Sequence, residues 1–444
     1  MSHPKFMRRR FPMQSIVRRF LGTNGLRLGI FLGALLAAGT ASAVPSFARQ
    51  TGQPCAACHV GGFGPQLTDF GIAFKLGAYT LAVPDRPAVP VAAMVMTGFT
   101  HTKSAQDPAG LDGHRLGGAA LKGNDNLTLD QVSLFLAGRL ASKAGVFGQL
   151  TYDGVAQHAS IDNVDVRVAD TFTLPGDVAL LAGVSVNNNP GVQDPFNTAP
   201  AWAFPYISSP VAPGPSAATI LDEAWGQKAT GVVAYGQVDG FWYGELGTYR
   251  MQTVSTQKFF GLGADDRDPG ALRSPLYARL AVRPSWNGGS LNAGVVLFRT
   301  GYQPDRGQPD TTHYTDVGVD ASWREVFADA SQATVLASVI HEAASGTPGM
   351  TEYTATGSYY LPSPWGGSWG ANLQRFGVNA SGLASRGSRL QLDWTPTGTR
   401  PLRGVWDPSV RVGLQFTAYD ELDAQRGHAA AVADSAYLFA WLAF

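Results

Sequence analysis

The sequence predicts an all-β fold, a transmembrane antiparallel β-barrel of about sixteen strands that follows a small helical domain. The composition, the alternating runs of residues and the alternating loop lengths all predict it. Charged residues make up only 15% of the 444 residues, whereas an ordinary soluble domain has about a quarter. Glycine (53 residues) and aromatic residues (11%) are abundant. This composition suits strands that face lipid on one side and a polar lumen on the other.

Residues 1–43 have the features of a cleaved signal peptide. Six arginines between Arg8 and Arg27 form a basic region, Leu28–Ala38 is apolar, and Ala41-Ser42-Ala43 is a small-residue cleavage site. The apolar stretch is too short to span a bilayer. Arg18-Arg19 loosely matches a twin-arginine signal, but we favour ordinary secretion.

Removal of this segment makes the chain acidic. It contains seven basic residues and no acid, which leaves 26 of the 33 basic residues against 33 acidic ones. The resulting charge of −7 disfavours nucleic acid as a partner.

Both cysteines of the chain lie in Cys55-Ala56-Ala57-Cys58-His59. A pair of cysteines in an exported protein can form a disulfide, but Cys-x-x-Cys followed by His indicates covalent attachment of a c-type haem. Cys55 and Cys58 would form the thioethers, and His59 would be the proximal iron ligand. A zinc site would need further nitrogen or sulfur ligands nearby, and the next histidine downstream is His101.

Residues 44–82 therefore form a predicted monohaem domain. Leu67, Phe70, Phe74 and Leu76 recur at helical spacing, and Thr68 or Asp69 is placed to cap the helix. Residues 83–90 contain three prolines and form a predicted stiff linker.

The barrel is predicted over residues 91–444, where short alternating runs are separated by turns rich in Gly, Pro, Asp and Asn. The runs cover 91–101, 127–140, 146–153, 161–172, 178–187, 231–239, 241–251, 277–286, 291–300, 313–323, 334–341, 352–361, 368–376, 389–394, 410–419 and 433–444.

Short turns such as Ser142-Lys143-Ala144 alternate with long loops such as 188–228, although 155–160 is short and 395–407 is long against this rule. Short turns and both termini of such barrels face the periplasm. The final strand ends in Phe444 after alternating apolar residues, which resembles the signal read by the barrel assembly machinery. The alternative interpretation of this last strand is a buried strand of a soluble β-sandwich.

The residues that flank the haem motif, Pro45–Gly52 and Pro65–Tyr79, resemble the fused cytochrome–porin family, which includes iron(II)-oxidising outer-membrane cytochromes. A second block, Asn187–Pro205, is also similar to that family. The resemblance implies one haem c, placed as a plug in the barrel lumen. It also implies an electron path from extracellular Fe(II), or another external donor, to a periplasmic c-type cytochrome, in a protein surrounded by outer-membrane lipid.

The second axial ligand of the iron is open at this stage. Met94, Met96 and His101 lie on the first predicted strand and are candidates, although each is also an ordinary strand residue. Lys75 and Arg49 are candidates to pair with haem propionates or to form ion pairs between plug and barrel.

Two loop features have alternative explanations. The acidic groups Asp265-Asp266 with Asp268, and Asp420-Glu421 with Asp423, offer the oxygen ligands that suit Fe(II), but such groups are also common on solvated loops. The Asn187–Pro205 block either folds into the lumen or forms an outer loop.

Three functions follow from these features. The first is iron(II) oxidase-type electron transfer across the outer membrane. The second is a diffusion porin in which the haem plug is a gate, a sensor or a structural part. The third is electron export in the reverse direction.

Overall fold

The computed structural model describes residues 45–64, 66–84, 90–107, 113–189, 194–196, 207–262, 269–401 and 407–444. The predicted signal peptide, residues 1–43, lies outside these residues, as do residues 85–89 of the predicted linker. Within the described part of the chain, no helix has the length and apolar character needed to cross a membrane.

Four helices and turns make up the described N-terminal segment. They are helix α1 (Pro45–Thr51), helix α2 (Cys55–Cys58), the 3-10 turn Val60–Gly62 and helix α3 (Asp69–Leu76). The Thr68 side chain caps α3 and accepts a hydrogen bond from the Gly71 amide at 3.2 Å. The predicted helix and its cap are therefore confirmed.

Sixteen long strands follow in the described residues. They are β1 (Val91–Thr102), β2 (Asn126–Ala141), β3 (Ala144–Asp153), β4 (His158–Leu174), β5 (Val178–Asn187), β6 (Ala229–Val238), β7 (Trp242–Met251), β8 (Ala271–Val282), β9 (Gly289–Gln303), β10 (Thr312–Val326), β11 (Gln332–Ala344), β12 (Met350–Pro362), β13 (Ser368–Asn379), β14 (Ser385–Thr395), β15 (Ser409–Leu422) and β16 (Ser435–Ala443). Two further strands, Ser285–Trp286 and Gln425–Arg426, are two-residue extensions of hairpins. Short helices, α4 (Val254–Phe259) and α5 (His428–Ala431), lie in loops.

The sheet closes on itself. Each strand pairs antiparallel with the next in sequence, and β1 also pairs with β16, with Met94 opposite Ala443 and Thr102 opposite Ser435. Closure leaves none of the sixteen long strands of the described residues with an unpaired edge. The predicted antiparallel barrel of about sixteen strands is confirmed, and the soluble sandwich is excluded.

The outer surface of the barrel is apolar. On β11, Val335 and Val339 are 46% and 44% exposed, whereas Leu336 and Ile340 on the other face are 6% and 1% exposed. This period of two is the expected pattern of a strand with two different environments. Closure of the barrel satisfies the backbone hydrogen-bonding groups of the strands. The apolar outer face presents hydrocarbon side chains to lipid.

Both termini of the barrel lie at the end that carries most of the short turns, such as 142–143 and 175–177. Long connections, such as 103–125 and 188–228, lie at the other end. The two exceptions expected from the sequence are present, because 154–157 is short and 396–408 is long. We call the first end periplasmic and the second end outer, following the rule for such barrels.

Two segments fill much of the lumen. The N-terminal segment, here called the plug (described residues 45–64 and 66–84), lies at the periplasmic end. The described residues of the loop between β5 and β6 (188–189, 194–196 and 207–228), here called the infolded loop, enter from the outer end. Together they place the haem motif inside the barrel.

Candidate functional site

The plug contacts the lumenal wall in all directions. The Tyr79 hydroxyl donates to Asp165 on β4 at 2.6 Å, and the Tyr235 hydroxyl on β6 donates to the Leu76 carbonyl at 2.7 Å. On the opposite side, Phe63 packs edge-to-face on Trp441 of β16, with ring centroids 4.7 Å apart. Contacts with strands this far apart around the ring place the plug within the lumen.

The haem motif forms a single turn of helix that packs against α3. The His59 amide donates to the Cys55 carbonyl at 2.8 Å, and the Thr68 amide donates to the Cys58 carbonyl at 2.9 Å. Gly71 lies so close to this carbonyl that a Cβ atom there would be 2.2 Å from the Cys58 oxygen. A glycine in α3 therefore allows the helix to approach the motif.

Cys55 is buried, while Cys58 and His59 are half-buried, and no disulfide joins these two cysteines. The described residues contain no group of three or more His, Cys, Asp or Glu side chains arranged to hold a metal ion. The zinc alternative therefore lacks a ligand set in this part of the chain.

The turn after His59 docks on the barrel wall. The Gly61 carbonyl accepts hydrogen bonds from Ser368 Oγ at 2.6 Å and from Thr395 Oγ1 at 2.7 Å. The Ala56 amide donates to the Gly398 carbonyl at 2.8 Å. Strands β13 and β14, with the turn after β14, thus fix the position of the motif.

A small cavity lies between this turn and the neighbouring side chains of the wall. Its volume is about 10 Å³, enough for roughly one water molecule. Its lining residues are Val60, Gly61, Phe63, Gly64 and Gln66 of the plug, and Tyr360, Asp393, Thr395 and Arg411 of the barrel.

The residues present fit a covalently attached haem by their donor chemistry. Two thiols separated by two residues on one helical turn, followed at once by an imidazole, are the donor set that c-type haem requires. Cys58 and His59 are half-buried. The cavity beside the motif is too small for a porphyrin, so the fit rests on the donor set.

The three candidate distal ligands separate into two groups. Met94 and Met96 face the lumen and pack in an apolar cluster with Phe47 and Trp441, next to the plug. His101 has the opposite strand parity and lies at the outer end of β1, where its Nδ1 is 2.8 Å from Asp125. The structure thus brings the two methionines near the plug but does not bring His101 there.

Both predicted propionate partners contact the barrel or the loop. Arg49 donates to the Val91 carbonyl at 2.6 Å. Lys75 is buried and its Nζ donates to the Asp194 carbonyl of the infolded loop at 3.3 Å. Burial, followed by the nearby Arg167 charge, lowers the pKa of Lys75 to about 8.

A charged network joins the plug to β4. Asp165 accepts from Tyr79 and, at 2.7 Å, from Arg167 Nε, while the Arg167 guanidinium lies 5.0 Å from the centre of the Tyr235 ring. Sequence reasoning missed this network. Its signal is the alternation of Asp165 and Arg167 with valines, which indicates charges that face the lumen.

The described residues of the Asn187–Pro205 block fold inward, although residues 190–193 and 197–205 lie outside the described set. Phe196 packs against Ile72 and Leu76 of α3. Asp194 is fully buried, with an oxygen 3.7 Å from Arg279 Nε. The loop therefore reaches the plug.

Farther along the infolded loop, three carboxylates of adjacent strands accept hydrogen bonds from successive amides. Glu352 accepts from Thr219 at 3.1 Å, Glu342 from Ile220 at 2.8 Å, and Asp316 from Leu221 at 2.9 Å. These bonds attach the loop to the lumenal wall near the outer end.

Of the two predicted acidic loop groups, one lies within the described residues. Asp265, Asp266 and Asp268 lie outside the described residues. Asp420 pairs with Arg375, and Glu421 pairs with Arg386 and Arg426. Asp423 accepts from Ser216 Oγ at 2.6 Å. The described acids are thus engaged within the protein.

The chain is similar in fold to solved structures of outer-membrane proteins. The chain is similar to OprB of Pseudomonas putida, with 10% identity over 80% of this chain and 93% of that one and a TM-score of 0.50. It is also similar to an anion-selective porin of Comamonas acidovorans (12% identity, 80% and 98% coverage, TM-score 0.44). A third similar structure is a loop-deletion mutant of OmpT of Vibrio cholerae (9% identity, 80% and 97% coverage, TM-score 0.46).

No protein-family model and no curated protein matches the chain. At these identities the similarity concerns the fold alone. The fold comparison rests on the similarity to OprB. The chain has the porin fold, a barrel of the kind that spans the outer membrane.

Proposed function

We propose that this protein transfers electrons across the outer membrane by means of a haem c attached to Cys55 and Cys58 and ligated by His59. The donor would be extracellular Fe(II) or another external reductant, and the acceptor a periplasmic c-type cytochrome. One electron leaves each ferrous ion and one electron reduces the acceptor. Haem c would supply the one-electron iron couple that this transfer needs.

The observation that carries the proposal is the position of the haem motif. Its turn is held inside a closed barrel, by Gly61 on one wall and by Tyr79 on another. A hydrocarbon layer of about 30 Å separates donor from acceptor. The motif lies inside the periplasmic end of the lumen, where a periplasmic acceptor could approach it from one side and the lumen leads to it from the other, whereas a tethered periplasmic domain would lie outside the barrel.

The remaining residues of the plug support this role by keeping the motif immobile. Asp69 at the start of α3 binds two arginines of the periplasmic mouth, with oxygens 3.1 Å from Arg283 and 2.5 Å from Arg324. Burial opposes ionisation, but these arginines hold the pKa of Asp69 below its usual value. A fixed position keeps distances for electron transfer constant.

The test uses the full-length protein in liposomes that contain a soluble c-type cytochrome. Fe(II) is added outside under anoxic conditions at several pH values, and absorption spectra follow the bound haem and the trapped cytochrome. We expect both to become reduced. The C55S/C58S protein should leave the trapped cytochrome oxidised.

Two results would overturn the proposal. One is a parent protein that carries no covalent haem in a pyridine haemochrome assay. The other is bound haem that stays oxidised with Fe(II) at every pH tested. Exchange of donor and acceptor between the compartments tests the export direction.

A diffusion porin with a structural or gating haem plug is the second candidate, and the fold likeness to OprB favours it. A porin needs an open path, whereas described residues of the plug and the infolded loop meet inside the lumen at Phe196 and Leu76. Single-channel conductance in planar bilayers separates the candidates. Steady conductance of porin size without redox activity would support the second.

A further inference from the structure

Two arginines near the outer ends of strands have lipid-facing positions. Arg299 of β9 is exposed and lies between Phe298 and Thr300, which face the lumen and are 1% and 2% exposed. Side chains alternate between the two faces of a strand, so Arg299 points outward from the barrel. Arg250 of β7 is also exposed and also lies between two buried lumenal residues.

A third arginine is placed beside Arg299 by the pairing of β8 with β9. Arg273 of β8 is exposed, and it lies opposite Gly301, two residues beyond Arg299. A Cβ atom on Gly301 would lie 3.2 Å from Arg273 Cβ and 3.4 Å from His313 Cε1, so these side chains share one face. Gly301 follows the lumenal Thr300, which makes that face the outward one.

Arg250 reaches the same level of the barrel wall. The Thr248 side chain of β7 donates to the Pro275 carbonyl of β8 at 2.9 Å. Arg250 lies two residues beyond Thr248 and Arg273 lies two residues before Pro275, and the two strands are antiparallel. Both arginines therefore lie on the outer side of this hydrogen bond. We call Arg250, Arg273 and Arg299 the arginine patch.

The lipid-facing residues of the same strands are apolar nearer the middle of the barrel. Leu246 of β7 and Leu280 of β8 are 60% and 66% exposed, and Val295 of β9 is 49% exposed. The arginine patch thus begins where the apolar band ends. A cation at this boundary lies level with the lipid headgroups, where a charge costs much less than it does among acyl chains.

No ion pair among the described residues involves the arginine patch. Arg273 donates from Nε to Gln303 Oε1 at 2.8 Å, and this acceptor is neutral. Two other lipid-facing arginines of the outer end, Arg375 and Arg386, each have a carboxylate partner. The three charges of the patch therefore call for an anion that the described part of the protein does not supply.

We propose that the arginine patch binds the phosphate groups of a phosphorylated lipid in the outer leaflet of the membrane. Guanidinium groups form strong, often bidentate, hydrogen bonds to phosphate. Three of them on adjacent strands offer several donors to one headgroup, directly above an apolar surface for its acyl chains. The proposal needs no haem and is independent of the proposed function.

The test measures lipid binding by the full-length protein in a neutral detergent. Native mass spectrometry follows titration with lipid A that carries two phosphate groups, and with lipid A of the same acyl chains from which both phosphates have been removed. We expect the parent to bind the phosphorylated lipid roughly tenfold more tightly, because charge-assisted contacts to phosphate are strong. R250Q/R299Q should lose most of this preference, whereas R250K/R299K keeps the charges and should retain part of it.

The matched control is R375Q/R386Q. It also removes two lipid-facing arginines from the outer end of the barrel, but these two are paired with Asp420 and Glu421. Its preference for the phosphorylated lipid should equal that of the parent.

Inorganic phosphate distinguishes a lipid site from a general anion site. It is added at the concentration at which phosphorylated lipid A saturates the parent. A lipid site predicts no displacement, because inorganic phosphate lacks the acyl chains that lie on the apolar band. Displacement at this concentration would overturn the assignment to a lipid.

Heat-modifiable migration in gels reports the folding of each variant, and the single variants R250Q and R299Q replace the double variant if it does not fold. A reduced preference in the patch variants, with R375Q/R386Q unchanged, would support the proposal. Equal binding of both lipids by the parent would overturn it, as would a parental preference in the patch variants. An equal loss in R375Q/R386Q would indicate a general effect of charge and would also overturn it.

Discussion

Gly61 shows how a single residue controls plug docking. Its φ is +70°, in the left-handed region, and a Cβ atom there would lie 2.4 Å from the Tyr360 ring. Only glycine combines this backbone conformation with such a close approach. The turn after His59 can therefore reach Ser368 and Thr395 of the wall because residue 61 has no side chain.

We predict that G61A loosens the plug at this wall. The backbone strain and the displaced Tyr360 ring should together cost about 1–3 kcal/mol of local stability. Hydrogen–deuterium exchange of the Ala56 and Val60 amides, which are hydrogen-bonded to Gly398 and Gln66, should become correspondingly faster.

The matched control is G176A in the turn between β4 and β5. Gly176 has a similar φ of +85°, but a Cβ atom at this position would have no neighbouring atom within 4 Å. The substitution should leave exchange of the plug amides unchanged. Equal exchange in G61A and parent would contradict the close contact with Tyr360.

Lys75 should make plug stability depend on pH. Burial, followed by Arg167, lowers its pKa from 10.5 to about 8 in the folded protein. Between these values the unfolded state holds a proton that the folded state lacks, so the free energy of unfolding rises with pH. Pulse proteolysis of the plug should show this rise in the parent and not in K75M.

K122M is the control, because Lys122 is an exposed residue of an outer loop. It should keep the parental rise between pH 8 and 10.5, the two pKa values of Lys75. A rise of the same size in K75M would show that another group is responsible.

For single residues, the sequence predicts the Cys55–His59 motif better than it predicts the residues that contact the motif in the fold. Cys55, Cys58 and His59 are adjacent in the chain, so their spacing is visible. Ser368 and Thr395, which bind the turn after His59, are far from the motif in the sequence, and only docking of the plug in the barrel brings them to it. The period of two in β1 also separates Met94 and Met96 from His101, which parity alone could have indicated.

The infolded loop is an element held by its backbone. Glu342 accepts from the Ile220 amide, between the bonds from Thr219 to Glu352 and from Leu221 to Asp316. A buried amide that loses its acceptor costs about 1–3 kcal/mol. We predict that E342A lowers the free energy of opening at the Ile220 amide by that amount. Hydrogen–deuterium exchange of this amide should become faster, and protease added on the outer side should cleave the loop more readily.

E325A is the comparison for this loop. Glu325 lies at the periplasmic end of β10 and accepts from Trp286 Nε1 at 2.9 Å, far along the strand from the infolded loop. Its removal should leave exchange at Ile220 unaltered. An unchanged Ile220 amide in E342A would mean that the loop is held elsewhere.

Strands were more predictable than loop positions. Alternation of apolar and polar residues and the Gly- and Asp-rich turns are local signals, and all sixteen predicted runs overlap strands. The infolded loop is attached by Asp316, Glu342 and Glu352, which come from three separate strands. No local pattern near residue 220 reveals these partners.

For the whole molecule, the barrel and the motif should be separable. The ladder that joins β1 to β2 and β16 uses backbone atoms of the strands alone. We therefore predict that C55S/C58S protein forms a heat-modifiable barrel in the outer membrane but loses covalent haem in the pyridine haemochrome assay. Loss of the folded band in gels would contradict independent barrel formation.

The pairing of β1 with β16 also imposes an order on biogenesis. The barrel closes only after the last strand is made, and Cys55 is 4% exposed once the plug lies inside. Under the proposed function, the enzymes that attach haem to this cysteine would have to act before the barrel closes around the plug. Secretion, haem attachment and membrane insertion would then follow in a fixed order, and closure before attachment would leave the protein without haem.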